Sequence, residues 1–247
     1  MRYLLTGMNG TVAPALARML RARGDEVIAW DRAAYPTDTE AAVMGFIGQT
    51  RPDWVCHIAT GAPAWAQWIA RACAAGGPKL LWTSTVSIYA DATPAPLGVE
   101  APALASDDYG KYKAETERLV REACPGALVP RLGWQIGSQP GSNTMTDFLF
   151  RTAKEKDGVI EASAAWIPST AWLDDTADAM LRLMDTGATG PYQLEGNAAG
   201  MTFFDLATAI ARRFNAAWRI VRTETPRMDR RMHDPRVTMG QVRERLK

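Results

Sequence analysis

The feature that most constrains the fold is an alternation of short apolar runs with helix-period segments along the first half of the chain. The strand-like runs are Tyr3 to Leu5, Glu26 to Trp30, Trp54 to Ile58, Leu80 to Trp82 and Ala127 to Val129. The segments predicted as helices are Val12 to Arg23, Thr39 to Gln49, Trp65 to Ala75 and Asp108 to Glu122. Because strands separated by helices favour a parallel sheet with helices on both faces, the chain is predicted to have an α/β fold with a doubly wound sheet.

A glycine-containing turn joins the first predicted strand to the first helix, at Gly7, Met8, Asn9 and Gly10. Such a turn lets the backbone approach a pyrophosphate, to which the helix presents N–H groups and the positive end of its dipole. The helix that follows is amphipathic, and Gly24 stands just past its last turn. This context indicates a Rossmann-type sheet whose turn binds a dinucleotide.

Asp31 follows the second predicted strand, where its carboxylate can accept hydrogen bonds from both hydroxyls of an adenosine ribose. This position favours NAD, because a 2′-phosphate would meet a like charge. Arg32 leaves NADP open, since a guanidinium can hold the 2′-phosphate if Asp31 turns away. Asp38 has two interpretations, a contact with the adenine end and a cap on the helix that starts at Thr39, and we prefer the cap.

Hydroxyl side chains follow the fourth predicted strand, directly after Trp82. Ligands bind at the carboxyl edge of open α/β sheets, so these hydroxyls are expected to face a ligand. Thr85 is predicted to hydrogen-bond a substrate oxygen, and Ser84 is a second candidate. Trp134 and Gln135, together with Trp166, are candidates for the wall of the substrate site, because amphipathic aromatic side chains suit mostly apolar pockets.

Tyr109 and Lys113 lie four residues apart in the predicted helix that starts near Asp108. Residues at this spacing share one helix face, so the Lys113 ammonium can approach both the Tyr109 phenol and a cofactor ribose. A phenol has an ordinary pKa near 10 and transfers protons poorly at neutral pH unless positive charge stabilises the phenolate. The pair therefore predicts a redox enzyme, whereas Tyr112 lacks a cationic partner and is assigned to the surface or to packing.

Composition and charge exclude several classes of function. Lys and Arg together number 28 against 27 Asp and Glu, so no global field favours nucleic acid or an anionic membrane. The basic cluster from Arg227 to Arg236 is interpreted as a solvated surface segment. Two histidines and three cysteines show no metal-ligand spacing, and neither zinc nor a structural disulfide is expected. Without a leader or a long apolar segment, the protein is expected in the cytoplasm with a small-molecule partner.

After Gly137 the alternation loosens, and a second lobe is predicted. Residues 139–143 are interpreted as a loop. Further helices are predicted at Thr146 to Lys154, Asp174 to Met184 and Thr202 to Phe214, and further strands at Tyr192 to Leu194 and Trp218 to Val221. We predict a Rossmann domain over residues 1–137, to which 165–195 return, and a small C-terminal substrate-binding lobe formed by 138–164 and 196–247.

These residues, in this order, resemble the extended branch of the short-chain dehydrogenase/reductase superfamily, the NAD-dependent epimerase/dehydratase and dTDP-4-dehydrorhamnose reductase group. The resemblance covers nearly the whole chain and includes four longer segments: residues 51–59, 131–137, 172–179 and 190–194. The first is similar to the strand that leads into the nicotinamide-side loop, which places Ala59 and Thr60 at the cofactor.

The resemblance implies an NAD(P)-dependent oxidoreductase that transfers a hydride between nicotinamide and a carbonyl or alcohol carbon of a sugar or nucleotide-sugar. Tyr109 would be the catalytic acid/base, Lys113 the residue that modifies its pKa and binds the ribose, and Thr85 the anchor of the substrate oxygen. A homodimer is common to the group. Its interface is left open here, because the segment from Ala59 to Leu80 lacks the usual longer helical insertion.

Departures from the family pattern narrow the chemistry. Val86 and Ser87 follow Thr85 where dehydratases carry an acidic pair, so dehydration is disfavoured. The Cys and His of enzymes that invert carbons beside a ketone are absent at the matching positions, and that activity is disfavoured too. Two alternatives stay open beside the reductase: a nucleotide-sugar 4-epimerase and a non-catalytic, dinucleotide-sensing regulatory protein.

Overall fold

The computed structural model describes residues 1–139 and 143–247. Its strands are β1 (Arg2–Thr6), β2 (Glu26–Ala29), β3 (Trp54–His57), β4 (Lys79–Trp82), β5 (Ser84–Thr85), β6 (Leu97–Gly98), β7 (Leu128–Leu132), β8 (Trp134–Ile136), β9 (Val159–Ser163), β10 (Trp166–Ile167), β11 (Thr170–Trp172), β12 (Gly190–Leu194), β13 (Arg219–Thr223), β14 (Met228–Asp229) and β15 (Met232–His233). Its helices are α1 (Val12–Ala22), α2 (Glu40–Thr50), α3 (Pro63–Ala74), α4 (Asp108–Ala123), α5 (Met145–Glu155), α6 (Leu173–Asp185), α7 (Phe203–Arg213) and α8 (Val242–Arg245).

The main sheet is parallel and has the order β2-β1-β3-β4-β7-β12, with β5 paired to β7 beyond the end of β4. This order confirms the predicted doubly wound α/β fold. The predicted strands and helices are present, with ends that differ by one to a few residues. The strand predicted at Ala127 to Val129 extends to Leu132, because Pro130 and Arg131 continue its pairing with β12.

Alternate residues of each central strand enter different cores, which explains the near-continuous apolar runs. On one face, Leu5 and Leu81 pack with α1 and α6. On the other face, Leu4 and Leu80 pack with α2, α3 and α4. A strand buried on both sides has no polar face, as expected for a parallel sheet between helix layers.

A third core lies in the C-terminal half, where α5 and α7 pack on β9 and α8 packs on β11. Its side chains include Leu149, Ile160, Leu206 and Val242. Strand β9 pairs with β13 in a separate two-stranded sheet. The exact division of the chain into a Rossmann domain and a substrate-binding lobe stays a prediction. The middle of the predicted 139–143 loop, residues 140–142, lies outside the described residues.

A buried ion pair fixes α4 to the sheet. Arg131 of β7 donates to both carboxylate oxygens of Glu117 in α4, at 3.2 and 2.6 Å, and both side chains are almost fully buried. The same guanidinium donates to the Tyr89 hydroxyl at 2.6 Å. Because buried charges are tolerated only when they are paired and hydrogen-bonded, this network sets how α4 lies along the sheet.

Two sequence interpretations are wrong. Asp38 does not cap α2, because the side chain of Thr39 accepts the hydrogen bond from Ala42 N at 3.2 Å and is itself the N-cap. The basic cluster between Arg227 and Arg236 is not a simple solvated face. Arg230 is only 9% exposed, and its guanidinium donates to Asp91 at 2.8 Å and to two backbone carbonyls.

Arg231 and Arg236 of the same segment are paired with the nearby carboxylates of Asp229 and Asp234. These pairs neutralise the charge that the sequence pattern assigned to solvent.

In the part of the chain that the structure describes, no helix is both long and apolar enough to cross a bilayer. The homodimer stays a prediction.

Candidate active site

A cleft of about 1130 Å³ lies at the carboxyl edge of the main sheet. It brings together nearly all of the residues that the sequence predicted for the site, namely Gly7, Met8, Asn9, Gly10, Asp31, Arg32, Ala59, Thr60, Ser84, Thr85, Tyr109, Lys113, Trp134 and Gln135. The cleft also includes Trp166. Asp38 is exposed and is not part of the cleft lining, so its predicted cofactor contact is not supported.

The turn after β1 has a backbone that requires glycine. Gly7 has a φ of +85°, and a Cβ at this position would stand 3.0 Å from Ala59 N. The N–H of Gly10 donates to Gly7 O at 2.8 Å and closes the turn just before α1 begins at Val12. The Thr6 hydroxyl accepts the N–H groups of Ile58 and Ala59, both at 3.0 Å. The result is a narrow backbone cradle at a helix N-terminus, which fits a pyrophosphate.

One end of the cleft lies beyond β2. Asp31 and Arg32 are both exposed, and Asp31 Oδ1 accepts the N–H of Ala33 at 2.9 Å. The Arg32 guanidinium carbon stands 5.8 Å from the ring centroid of Trp65, a buried indole that lines the cleft. Both a carboxylate and a guanidinium therefore face this end, as the sequence indicated.

A close helix approach brings Tyr109 beside Thr85. Asp107 caps α4 by accepting Gly110 N at 2.8 Å, and a Cβ on Gly110 would overlap the Ser87 carbonyl. The Tyr109 ring is 49% exposed along the cleft. Partial burial raises the pKa of the Tyr109 hydroxyl, and the nearby Thr85 hydroxyl opposes part of this shift. The Tyr109 phenol is consequently protonated at neutral pH in the free protein.

Lys113 lies deeper, one turn further along α4, and is 4% exposed. Its Nζ donates to Thr83 O at 2.6 Å and stands 4.1 Å from the ring centroid of Trp82. Burial lowers the pKa of Lys113 to about 8, an effect that Glu117 partly opposes. The ammonium is thus charged at neutral pH and lies near its titration range.

His57 was not among the predicted site residues, yet it packs directly behind this site. Its ring lies 4.4 Å from Trp65, and its Nδ1 is 2.8 Å from the Thr6 hydroxyl. Burial, reinforced by the charge of Lys113, lowers the pKa of His57 to about 3. Because Thr6 Oγ1 already accepts two N–H groups, its own proton points to Nδ1, and His57 is neutral with its proton on Nε2.

The opposite wall of the cleft is aromatic and contains unsatisfied polar atoms. The rings of Trp134 and Trp166 stack with centroids 6.3 Å apart. Gln135 donates to Gly133 O at 2.9 Å. Among the described residues, Gln135 Oε1, Ser84 Oγ and Trp166 Nε1 are buried and have no hydrogen-bond partner. Buried polar atoms of this kind call for an explanation, and a polar ligand in the cleft is one.

Sequence reasoning missed the C-terminal contribution to this wall. Pro168, Ser169, Met228 and Arg230 also line the cleft. Ser169 is packed against Gly133, where any Cβ would collide with it. No local pattern marks these residues, because they reach the cleft through tertiary contacts between β10 and β14 rather than through a strand-end motif.

The fold and the cleft together define a class, that of Rossmann-fold oxidoreductases with a tyrosine and a lysine at the carboxyl edge of the sheet. Comparisons with known proteins make the assignment narrower. Residues 62–239 match the family model described as RmlD substrate binding domain. The chain therefore belongs to the RmlD substrate binding domain family, within the extended short-chain dehydrogenases/reductases.

Relatives in sequence are reductases. The chain is 27% identical over 226 residues to a dTDP-4-dehydrorhamnose reductase of Mycolicibacterium smegmatis, and the alignment covers 84% of this chain and 68% of that protein. It is 25% identical over 233 residues to a probable dTDP-4,6-dihydroxy-2-methyloxan-3-one 4-ketoreductase of Streptomyces antibioticus, which covers 87% and 78%.

Solved structures share the fold. A dTDP-4-dehydrorhamnose reductase of Bacillus anthracis in complex with NADP superposes with a TM-score of 0.86 at 20% identity, over 99% of this chain and 96% of that one. The Bordetella bronchiseptica enzyme WbmH in complex with NAD⁺ gives a TM-score of 0.79 at 17% identity, over 99% and 95%. Structures with this fold thus hold either form of the cofactor.

Proposed function

We propose that this protein uses NADH or NADPH to reduce the keto group of a deoxythymidine diphosphate sugar, as its dTDP-4-dehydrorhamnose reductase relatives are named for doing. One observation carries the proposal. The cleft that contains the glycine cradle also contains Thr85, Tyr109 and Lys113, and the Thr85 hydroxyl lies close enough to the Tyr109 phenol to affect its pKa. A regulatory dinucleotide sensor would have no need of this group.

Each of these side chains has a distinct task in carbonyl reduction. A reduced nicotinamide, when bound, supplies the hydride to the carbonyl carbon. The hydroxyls of Thr85 and Tyr109 bind the carbonyl oxygen, and Tyr109 donates its proton as that oxygen becomes an alkoxide. Lys113 then stabilises the phenolate and binds the ribose through the N–H groups that its hydrogen bond to Thr83 O leaves available. The pKa of Tyr109, raised by burial, keeps the phenol protonated until that transfer.

The two ends of the cleft are assigned to the two parts of the ligand set. The backbone cradle at Gly7 and Gly10 would hold the pyrophosphate of the cofactor, with Met8, Asn9, Ala59 and Thr60 beside it. Asp31 would bind the ribose hydroxyls of NAD, the form that we favour. Arg32 would accept the 2′-phosphate in the competing NADP assignment. Trp134, Gln135 and Ser84 would contact the sugar.

Turnover by the purified protein tests the proposal. The protein is mixed with a dTDP-4-keto-6-deoxy sugar and NADH or NADPH, and the loss of absorbance of the reduced nicotinamide is followed. Tyr109→Phe is expected to lower kcat by about 10²–10⁴-fold while cofactor affinity, measured by calorimetry, stays within about twofold. Tyr35→Phe, an exposed tyrosine outside the cleft lining, is the matched control and should leave both unchanged.

Other outcomes would redirect the assignment. Unchanged turnover in Tyr109→Phe would remove this residue from catalysis. A stoichiometric, tightly held cofactor with interconversion of two nucleotide-sugars, and no net oxidation of nicotinamide, would identify a 4-epimerase instead. Cofactor binding with no turnover of any keto-sugar would favour a regulatory protein.

A further inference from the structure

A buried carboxylate outside the proposed catalytic group ties three backbone segments together. Glu195 follows β12 at the carboxyl edge of the sheet and is 7% exposed. Its Oε1 accepts the N–H groups of Asn197 at 2.7 Å and Thr170 at 3.3 Å, and its Oε2 accepts the N–H of Met232 at 2.9 Å. Both oxygens are engaged by backbone, and no salt bridge to Glu195 occurs among the described residues.

Two of these segments form the substrate side of the cleft. Thr170 directly follows Pro168 and Ser169, and Met232 follows two residues after Arg230. The first segment also supports Trp134, whose N–H donates to Ser169 O at 2.9 Å and whose carbonyl accepts the Thr170 hydroxyl. The carboxylate therefore holds, through backbone, the wall that carries the stacked indoles.

The second segment reaches the turn that follows Thr85. Arg230 donates to Val86 O at 3.0 Å and to Tyr89 O at 3.1 Å, across the cleft edge from β14. Its own N–H donates to Ile167 O at 2.8 Å, which joins the second segment to the first. Loss of the Met232 contact would thus loosen the indole wall and, through Arg230, weaken the support of the Thr85 turn.

We propose that Glu195 is a positioning residue for the proposed reductase: its ionised carboxylate clamps segments 168–170 and 228–232 to the edge of the sheet and so fixes the substrate half of the cleft. The inference rests on the proposed function for its effect on substrate, but the clamp itself is a property of the free protein. Glu195 touches neither substrate nor cofactor in this account. It acts on the Michaelis constant more than on the chemical step.

The clamp depends on ionisation. Burial raises the pKa of Glu195 to about 7, although the N–H groups of Met232 and Asn197 hold it down in part. Because the folded-state pKa lies above the ordinary value, the carboxyl takes up a proton as the pH falls through about 7. One oxygen then becomes a hydroxyl donor facing an N–H donor, and one contact of the clamp is lost.

The ionisable side chains near Met232 are either paired with one another or exposed to solvent. The Arg231 guanidinium is paired with Asp229, and the charge of Glu195 contributes to its raised pKa. Asp234 is paired with Arg236 and accepts Gln193 N, and the His233 side chain is exposed. Of these groups, Arg231 is the one whose pKa reflects the charge of Glu195, and its charge does not change between pH 6 and 8.

Glu195→Gln tests the clamp with little change of shape. The amide oxygen can keep the Asn197 and Thr170 contacts, whereas the amide NH₂ would face the Met232 N–H, donor against donor. We expect KM for the keto-sugar to rise about tenfold, because one hydrogen bond to a charged group is lost. The value of kcat should fall by a smaller factor, because the Thr85 turn is reached only through Arg230, and cofactor affinity should stay within about twofold. The rise of KM below pH 7 should disappear in the variant.

Two further measurements keep the outcome decisive. Hydrogen exchange in the free protein should speed up at the Met232 amide of Glu195→Gln and stay unchanged at Thr170, whether or not any keto-sugar is reduced. Glu161→Gln, whose carboxylate is 64% exposed, is the matched control. If Glu195→Gln does not fold, the pH dependence of KM in the wild-type protein is the test. A KM that rises below pH 7 supports the clamp, and a KM that stays constant overturns it. Unchanged KM and exchange in a folded variant overturn it as well.

Discussion

Replacement of Gly110 by alanine is predicted to displace Tyr109 and to slow the reaction in a folded protein. A Cβ at this position would lie 2.6 Å from the Cβ of Ala105 and closer still to the carbonyl oxygen of Ser87. Carbon atoms in contact prefer separations of about 3.5–4 Å, so the first turn of α4 must move by about 1 Å. Tyr109 precedes Gly110 in that turn and moves with it.

The magnitude follows from that displacement. Misplacement of a reacting group by about 1 Å can lower a rate by about 10²-fold, and this is the loss of kcat that we expect. Forcing a methyl group into a filled space costs about 1–3 kcal/mol of unfolding free energy. Alanine is a better helix former than glycine by about 1 kcal/mol, which offsets part of this cost. The protein should therefore remain folded.

Three measurements separate these effects: kcat from nicotinamide absorbance, cofactor affinity by calorimetry, and unfolding in urea. The control is Gly45→Ala in α2, where an added Cβ meets nothing within 4 Å. It should leave kcat unchanged and stabilise the helix slightly. If Gly110→Ala turns over as fast as the wild-type protein, the contact of α4 with the Ser87 turn does not position Tyr109, and the reasoning is refuted.

Three further predictions concern charge. Asp31→Ala should weaken NADH binding and strengthen NADPH binding in calorimetric titrations, because the carboxylate both binds ribose hydroxyls and repels a 2′-phosphate; an unchanged preference would exclude Asp31 from this role. Glu117→Gln leaves the Arg131 guanidinium buried without a carboxylate and should lower the urea unfolding free energy by about 3–5 kcal/mol, and a loss below about 1 kcal/mol would contradict the pairing. The pKa of Lys113 near 8 predicts that kcat/KM falls as the pH rises through 8, because the ammonium loses its charge. The folded-state pKa lies below the ordinary value of 10.5, so the same titration raises the free energy of unfolding between pH 8 and 10. A parallel loss of activity and stability would point to another cause.

Much of the architecture was predictable because the spacing of apolar residues within a short segment indicates its secondary structure. Strands such as β1 and β3 are apolar on both faces, and helices such as α1 are amphipathic, so a short window of sequence carries the signal. The glycine turn and the hydroxyl-rich end of β4 are local too, and the structure brings both to one cleft. The prediction for Asp38 was wrong for a local reason, because the adjacent Thr39 can also cap a helix and stands one residue nearer its start.

The substrate wall was not predictable in the same way. Arg230 lies in a basic segment whose composition is typical of a solvated surface, and only its contacts with Val86 and Tyr89 show that it is buried. Glu195 gives no signal in sequence either, because its three partners are backbone N–H groups from distant segments. Such contacts depend on tertiary packing and not on residue type or spacing.

The transfer of a labelled hydride tests the central claim most directly. The protein is incubated with a dTDP-4-keto-6-deoxy sugar and nicotinamide that carries deuterium at the transferable C4 position, and the sugar product is analysed by mass spectrometry. A reductase predicts one deuterium at the new carbinol carbon and one oxidised nicotinamide for each product molecule. Product without deuterium, or no oxidation of the nicotinamide, would contradict the account.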